Sequence, residues 1–107
     1  MSRKLAKYKL KEGVSIAGLS VALRVALRHA GWIWEELGQT LIITSGTEYP
    51  EAHGAGSYHA HGYAIDFRVY YFEDGGTEAA EALQLALGDK FTVILHKGHH
   101  IHMHFNA

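Results

Sequence analysis

The chain has 107 residues, of which 48% are hydrophobic and 20% charged, and its formal net charge is -1. This composition excludes a disordered chain, and the near-neutral charge excludes a field strong enough to gather nucleic acid or anionic lipid. The absence of cysteine excludes disulfides and thiolate zinc sites.

The length fits one compact domain, residues 1–107, which we expect to be a monomer without nucleic-acid or membrane partners. Its N-terminal segment is basic, with five Lys or Arg residues between positions 3 and 11, and we expect a solvated tail there. No apolar segment follows this tail, so we predict no secretory signal. No apolar run approaches the ~20 residues of a membrane span.

The first half of the chain predicts a helix followed by a short strand. Apolar side chains recur at helical spacing over residues 19–37, where Ser20 can cap the start and Gly38 suits the end. Residues 41–44 (Leu-Ile-Ile-Thr) are typical of a buried strand that ends at Ser45-Gly46. A polar, glycine-rich loop then runs from residue 47 to about residue 58.

The second half predicts a strand, a helix and a hairpin. Residues 63–72 are rich in β-branched and aromatic side chains and predict a strand, and a turn follows at residues 74–76. We expect a helix from Thr77 to Gly88. Residues 91–95 and 100–105 flank a Lys-Gly turn and predict a β-hairpin. The fold class is therefore α+β, with helices packed on a small, largely antiparallel sheet.

Histidine is unusually abundant, and two features of its distribution point to a metal. His59 and Asp66 lie seven residues apart and bracket Gly62. An unbroken strand of that length would span ~23 Å, so the chain must bend for these two side chains to share a metal. Gly62 permits such a bend, and the small Ala64 permits close packing behind it.

The second feature is the alternating strand at the C-terminal end. Alternation places His100, His102 and His104 on one face of the strand and their apolar neighbours on the core face. Three imidazoles opposite a clean apolar face are typical of metal binding, because histidine is the commonest metal ligand. Together, the two features would supply three N or O ligands with an open fourth position, as in catalytic zinc sites.

At these residues the chain resembles the zinc D-Ala-D-Ala carboxypeptidase-like peptidases, a group that includes lysostaphin-type enzymes and the hedgehog signalling domain. The similarity covers roughly residues 41–106. The whole chain also resembles small stand-alone members of this group found in bacterial viruses. The family pattern Ser-x-His-x-x-Gly-x-Ala-x-Asp is matched by Ser57, His59, Gly62, Ala64 and Asp66. Residues 43–46 are similar to the strand that leads into the family's site, and residues 100–105 to its final His-x-His strand.

The resemblance implies a role for each of these residues. It makes His59, Asp66 and His102 the zinc ligands, and it places His100 against the substrate or the transition state. His104 stands where the family usually has an acidic or amide residue. A rival register, with His104 on zinc and His102 in the catalytic position, stays open, although side chains on one strand face are ~7 Å apart and only one can reach the metal.

The resemblance further implies a zinc peptidase that hydrolyses peptide bonds in peptidoglycan stem peptides or cross-links, with zinc-activated water as the nucleophile. The setting would be cell-wall lysis by a phage or bacterium, and the protein would be cytoplasmic or virion-associated.

Two departures from the family pattern matter. His99 stands three residues before His102, where some relatives have a glutamate, so proton transfer would fall to His100 or to another group that the sequence does not identify. Thr47-Glu48 stands where many relatives have an arginine that holds a substrate carboxylate, which favours an endopeptidase.

Three alternatives remain: a zinc-containing binding module without turnover, a zinc hydrolase of another amide, and an α+β domain with scattered histidines.

Overall fold

The computed structural model describes residues 8–48 and 62–106. Within them the chain forms β1 (Tyr8–Leu10), α1 (Val21–Glu36), β2 (Leu41–Ser45), β3 (Ala64–Arg68), α2 (Thr77–Leu87), β4 (Phe91–His96) and β5 (His100–Phe105). The strands form one five-stranded sheet in the order β1-β2-β3-β5-β4, in which only the β1–β2 pair is parallel. The predicted α+β class is confirmed.

Helix α1 begins and ends within two residues of the predicted positions. The Ser20 hydroxyl accepts a hydrogen bond from the backbone N–H of Leu23 at 3.3 Å and so caps the first turn. The apolar stripe faces the core: Leu23, Ala26, Leu27, Ala30 and Trp34 are buried. Helix α2 ends at Leu87, just before the glycine that the sequence places at its end.

The core lies between the helices and one face of the sheet. Trp34 is fully buried, and its ring packs edge-on against Phe67 of β3, with 5.6 Å between the ring centroids. Alternate side chains of the central strands point into the same cluster and are fully buried: Ile43, Ile65, Phe67, Ile101 and Met103. Because successive residues alternate between faces, Asp66 and His102 must lie on the opposite face of the sheet.

The predicted strand over residues 63–72 is wrong in length, because β3 ends at Arg68. Beyond it the backbone turns, and the N–H of Phe72 donates to the carbonyl of Val69 at 3.0 Å. The aromatic residues that predicted a longer strand instead pack across the structure: Phe72 lies edge-on against Trp34, and the Tyr71 hydroxyl donates to the carbonyl of Thr40. Tertiary packing thus overrides their β propensity.

The N-terminal segment is a second correction. Residues 8–10 were expected to belong to a solvated tail, but they form β1 and pair in parallel with residues 41–43. All three side chains are exposed. Lysines do alternate with Tyr8 and Leu10, but the high lysine content of this short segment favoured a solvated tail over a strand. Smaller differences extend β2 to Ser45 and β4 to His96.

Neither helix of the described chain has the length and apolar character that a membrane crossing requires.

Candidate metal centre

Strands β3 and β5 bring the predicted site residues together. Asp66 lies directly opposite His102 in the antiparallel ladder, and Arg68 lies opposite His100. The face of β5 that carries the histidines points away from the core, as predicted, because Ile101 and Met103 on the other face are buried. The side chains of Asp66 and His102 are 16% and 21% exposed, so a ligand can reach them from solvent.

The central contact joins these two side chains. Nδ1 of His102 lies 2.9 Å from Oδ1 of Asp66. Two ligands of a tetrahedral zinc ion, each about 2.0 Å from the metal, stand about 3.3 Å apart. Imidazole nitrogen and carboxylate oxygen are both common zinc ligands, so the donor types fit this metal, whereas the 2.9 Å separation is that of a hydrogen bond and must widen slightly to admit the ion.

His104 also contacts His102, on the other side of the ring. Nε2 of His102 lies 2.9 Å from Nδ1 of His104, and the ring centroids are 5.0 Å apart. The expected separation of ~7 Å between side chains on one strand face is wrong for these two rings, which tilt toward each other. Since Asp66 contacts His102, this arrangement favours His102 over His104 as its partner in binding a metal.

His100 lies two residues before His102 on the same face. Its ring stacks on that of His96 from the neighbouring strand, with 4.4 Å between centroids and 17° between planes. Burial lowers the pKa of His100 below its ordinary value, and the Asp66 carboxylate opposes this shift only in part. The ring is therefore neutral near pH 7 and can accept a proton.

The end of β2 lies beside the site. Ser45 pairs with Asp66 after an irregularity in the β2–β3 ladder, and it is buried, with 8% of its surface exposed. Within the described residues its hydroxyl has no hydrogen-bond partner. A polar atom in such a place needs a partner. The sequence predicted that Ser45 ends a strand that leads into the site, but its pairing with Asp66 follows a ladder irregularity that no sequence pattern marks.

Gly62 fixes the start of β3 against the first helix. Its carbonyl accepts a hydrogen bond from the N–H of Ser20 at 3.0 Å, and its φ is +78°. A Cβ at this position would lie 2.5 Å from the carbonyl oxygen of Gly18. Glycine is therefore favoured at this motif position for two reasons: its backbone is in the left-handed region, and another backbone segment approaches it closely. Ala64, two residues later, is fully buried.

Glu48 has a role that the sequence did not reveal. Its Oε1 accepts hydrogen bonds from the backbone N–H of Gly46 at 2.8 Å and of Ser15 at 3.0 Å. The carboxylate thus ties the loop after β2 to the segment before α1. A glutamate two residues after a glycine is too common a pattern to predict such a tie.

The remaining motif residues lie outside the described residues. His59, the first predicted ligand, belongs to this set, as does Ser57. In the part of the chain that the structure describes, no group of three or more His, Cys, Asp or Glu side chains could hold a metal ion. Of the predicted ligand set, the structure therefore places Asp66 and His102 and brings them together.

Comparisons with known proteins add no further constraint. Neither a protein-family model nor a curated protein nor a solved structure matches this chain significantly.

Proposed function

We propose that this chain is a zinc-dependent peptidase that hydrolyses peptide bonds in peptidoglycan stem peptides or cross-links. The observation that carries the proposal is the 2.9 Å contact between Asp66 and His102, two zinc-ligand types that meet on a solvent-accessible face of the sheet. In this proposal His59, which lies outside the described residues, is the third ligand. The motif that links His59 to Asp66 supports this assignment.

In the proposed mechanism, Asp66 and His102 hold the zinc ion that supplies the reactive chemistry. A bound zinc ion would polarise the scissile carbonyl and activate water for attack. Asp66 and His102 would hold the ion, and their position on adjacent, mutually hydrogen-bonded strands keeps them in place before substrate arrives. Such preorganisation is what a catalytic metal site requires of its scaffold.

His100 is the residue that we assign to the substrate. It is on the same strand face as His102, and its lowered pKa keeps the ring neutral near pH 7. A neutral imidazole carries one N–H donor and one acceptor nitrogen, so it can stabilise a developing oxyanion or move a proton. Stacking against His96 restricts the ring's orientation.

An endopeptidase is the form of the activity that the structure supports best. Thr47-Glu48 stands where many relatives have an arginine for a terminal substrate carboxylate, and the Glu48 carboxylate accepts hydrogen bonds from the backbone N–H groups of Gly46 and Ser15. A free carboxylate in the substrate would be repelled there. The near-neutral net charge also suits a short peptide better than a polymer held by charge. The protein would act on the cell wall of a bacterium, from the cytoplasm or from a phage particle.

One observation favours a second candidate, a zinc-containing binding module without turnover. His99 replaces the glutamate that serves as a base in some relatives, and its side chain is exposed in the turn between β4 and β5. If His100 cannot replace that base, the protein would bind a peptide through its metal without cleaving it.

One experiment separates these candidates. Untagged protein is loaded with zinc, its metal content is measured, and it is incubated with cross-linked muropeptides whose products are identified by mass spectrometry. The peptidase proposal predicts new amino termini that disappear with a chelator and return with zinc. Intact muropeptides despite one zinc ion per chain would refute turnover and leave the binding module.

A further inference from the structure

Both ring nitrogens of His102 are engaged. Nδ1 lies 2.9 Å from Asp66 Oδ1, and Nε2 lies 2.9 Å from His104 Nδ1. A neutral imidazole has only one N–H, and an ionised carboxylate only accepts, so before a metal binds Nδ1 donates to Asp66 and Nε2 offers its lone pair to His104. The two contacts therefore depend on each other, because the choice of partner at one nitrogen decides what the other can bind.

Binding of a metal at Nδ1 would reverse this arrangement of the ring proton. A metal ion needs the lone pair of the ligating nitrogen. The nitrogen of His102 that lies beside Asp66 is Nδ1, so a metal shared by these two residues binds there. The ring proton must then be on Nε2, where its partner is Nδ1 of His104.

We propose that His104 is a positioning residue of the metal centre, which accepts a hydrogen bond from Nε2–H of His102 and so directs Nδ1 toward the metal. This inference depends on the proposed function, since it takes His102 as a zinc ligand. Metal-bound histidines usually donate their second N–H to such a partner, and loss of the partner weakens metal binding by about 10- to 100-fold.

The sheet holds His104 where this role requires it. His104 lies between Ala64 of β3 and Thr92 of β4, so its backbone is paired on both sides. Ala64 presents only a methyl group, which leaves room for the His104 ring to tilt toward His102. The inference also separates the two histidines, because His104 acts through His102 and does not itself bind the metal.

Two substitutions at one position test the proposal. In His104→Asn, the side-chain Oδ1 is bonded to Cγ as Nδ1 is in histidine, so it can accept the same hydrogen bond. In His104→Leu, a side chain of similar bulk has no acceptor. We expect the leucine variant to bind zinc about 10- to 100-fold more weakly in competition with a chromogenic chelator, and the asparagine variant to retain most of the wild-type affinity.

A spectroscopic measurement complements the affinities. Nitrogen-15 spectra of the zinc-loaded wild type and of His104→Asn should show His102 protonated at Nε2 and metal-bound at Nδ1. Thermal unfolding of each metal-free variant checks the fold. If the leucine variant does not fold, the asparagine spectrum decides, and a proton on Nδ1 of His102 with the metal on Nε2 overturns the proposal.

The outcomes distinguish this inference from the peptidase proposal. Equal zinc affinity in wild type and His104→Leu would overturn the role of His104 and leave the peptidase proposal intact. Lost activity at unchanged affinity would also overturn it, because His104 would then act on the substrate. Zinc-loaded wild type without peptide hydrolysis would refute only the peptidase, whereas wild type that binds no zinc would refute both.

Discussion

The backbone of Gly46 approaches the carbonyl oxygen of Ser15 so closely that a Cβ at position 46 would lie far inside van der Waals contact. The same two residues share the Oε1 of Glu48 through their backbone N–H groups. This junction fixes the end of β2, where Ser45 pairs with Asp66. It therefore links the loop before α1 to the candidate metal centre.

We predict that Gly46→Ala destabilises the fold by about 1–3 kcal/mol, because the added methyl group must displace backbone that cannot easily yield. The zinc affinity of this variant should fall as well, because the backbone shift displaces Ser45, which pairs with the proposed ligand Asp66. Urea unfolding of the metal-free protein measures the first effect and chelator competition the second. Gly38→Ala is the control, since its φ is +80° but no atom lies within 4 Å of the added Cβ. It should cost only the backbone strain, ~1–2 kcal/mol, with unchanged zinc affinity.

The ligand set predicts which alanine substitutions abolish metal binding. Asp66→Ala, His102→Ala and His59→Ala should each lose tightly bound zinc, because three ligands are the minimum for a catalytic site. His99→Ala is the matched control, since this exposed histidine lies in the β4–β5 turn. Metal content after dialysis gives the result. Retention of zinc by His102→Ala together with its complete loss in His104→Ala would establish the rival register.

His100 should separate metal binding from catalysis. We expect His100→Ala to keep its zinc and to lose activity by about 10²- to 10⁴-fold, the usual contribution of a general acid–base group. Muropeptide turnover and metal content are measured on the same preparation. A variant with full activity would show that His100 takes no part in catalysis, and His96→Ala tests separately whether the stacked ring merely orients it.

Gln84 of α2 completes the outer edge of the sheet. Its Oε1 accepts from the N–H of Val93 at 3.0 Å, and its Nε2 donates to the carbonyl of Phe91 at 2.8 Å. We predict that Gln84→Ala lowers the free energy of unfolding by about 1–3 kcal/mol and promotes aggregation through the uncovered edge of β4.

Gln84→Glu refines this test. It keeps an acceptor for Val93 but places a carboxylate oxygen beside the Phe91 carbonyl, so it should also destabilise the sheet. The exposed Glu81 of the same helix is the control position. Urea unfolding measures the loss of stability, and light scattering measures aggregation. Unchanged stability in both Gln84 variants would show that the hydrogen bonds from Gln84 to β4 do not stabilise the edge of the sheet.

The start of α2 gives a prediction about pH. The Asp74 carboxylate accepts hydrogen bonds from the N–H groups of Glu78 and Gly76, both at 2.9 Å, and these bonds lower its pKa. A carboxyl group whose pKa is lower in the folded state stabilises the fold above its unfolded pKa of about 3.9, and this stabilisation is lost as the pH falls through the folded value. Asp74→Asn should therefore unfold at a lower temperature than wild type at neutral pH.

The two melting temperatures should converge as the pH falls from about 4 through the lower folded pKa of Asp74, because the wild-type carboxyl group becomes protonated over that range. Thermal scans across this range, with Asp89→Asn as an exposed control, measure the difference. A constant difference at all pH values would show that the Asp74 charge is not the cause.

Local sequence features determined much of the architecture. The helical periodicity, Ser20 and the glycines after each helix located both helices, because caps and amphipathic spacing act over a few residues. The alternation in residues 100–105 correctly predicted which face of β5 enters the core. The strand over residues 63–72 was predicted too long, because its aromatic residues pack against α1. Strand β1 was missed because the lysines that alternate with Tyr8 and Leu10 predicted a solvated tail.

In the candidate site, too, the sequence predicted some features and only the tertiary structure decided others. The sequence alone named Asp66 and His102 as metal ligands, since donor chemistry and motif spacing are properties of residue type and order. Only the tertiary structure decided that these two residues face each other, that His104 occupies the second nitrogen of His102, and that Ser45 is buried beside Asp66. Strand register and ring orientation arise from packing between segments that are distant along the chain, and no local pattern encodes them.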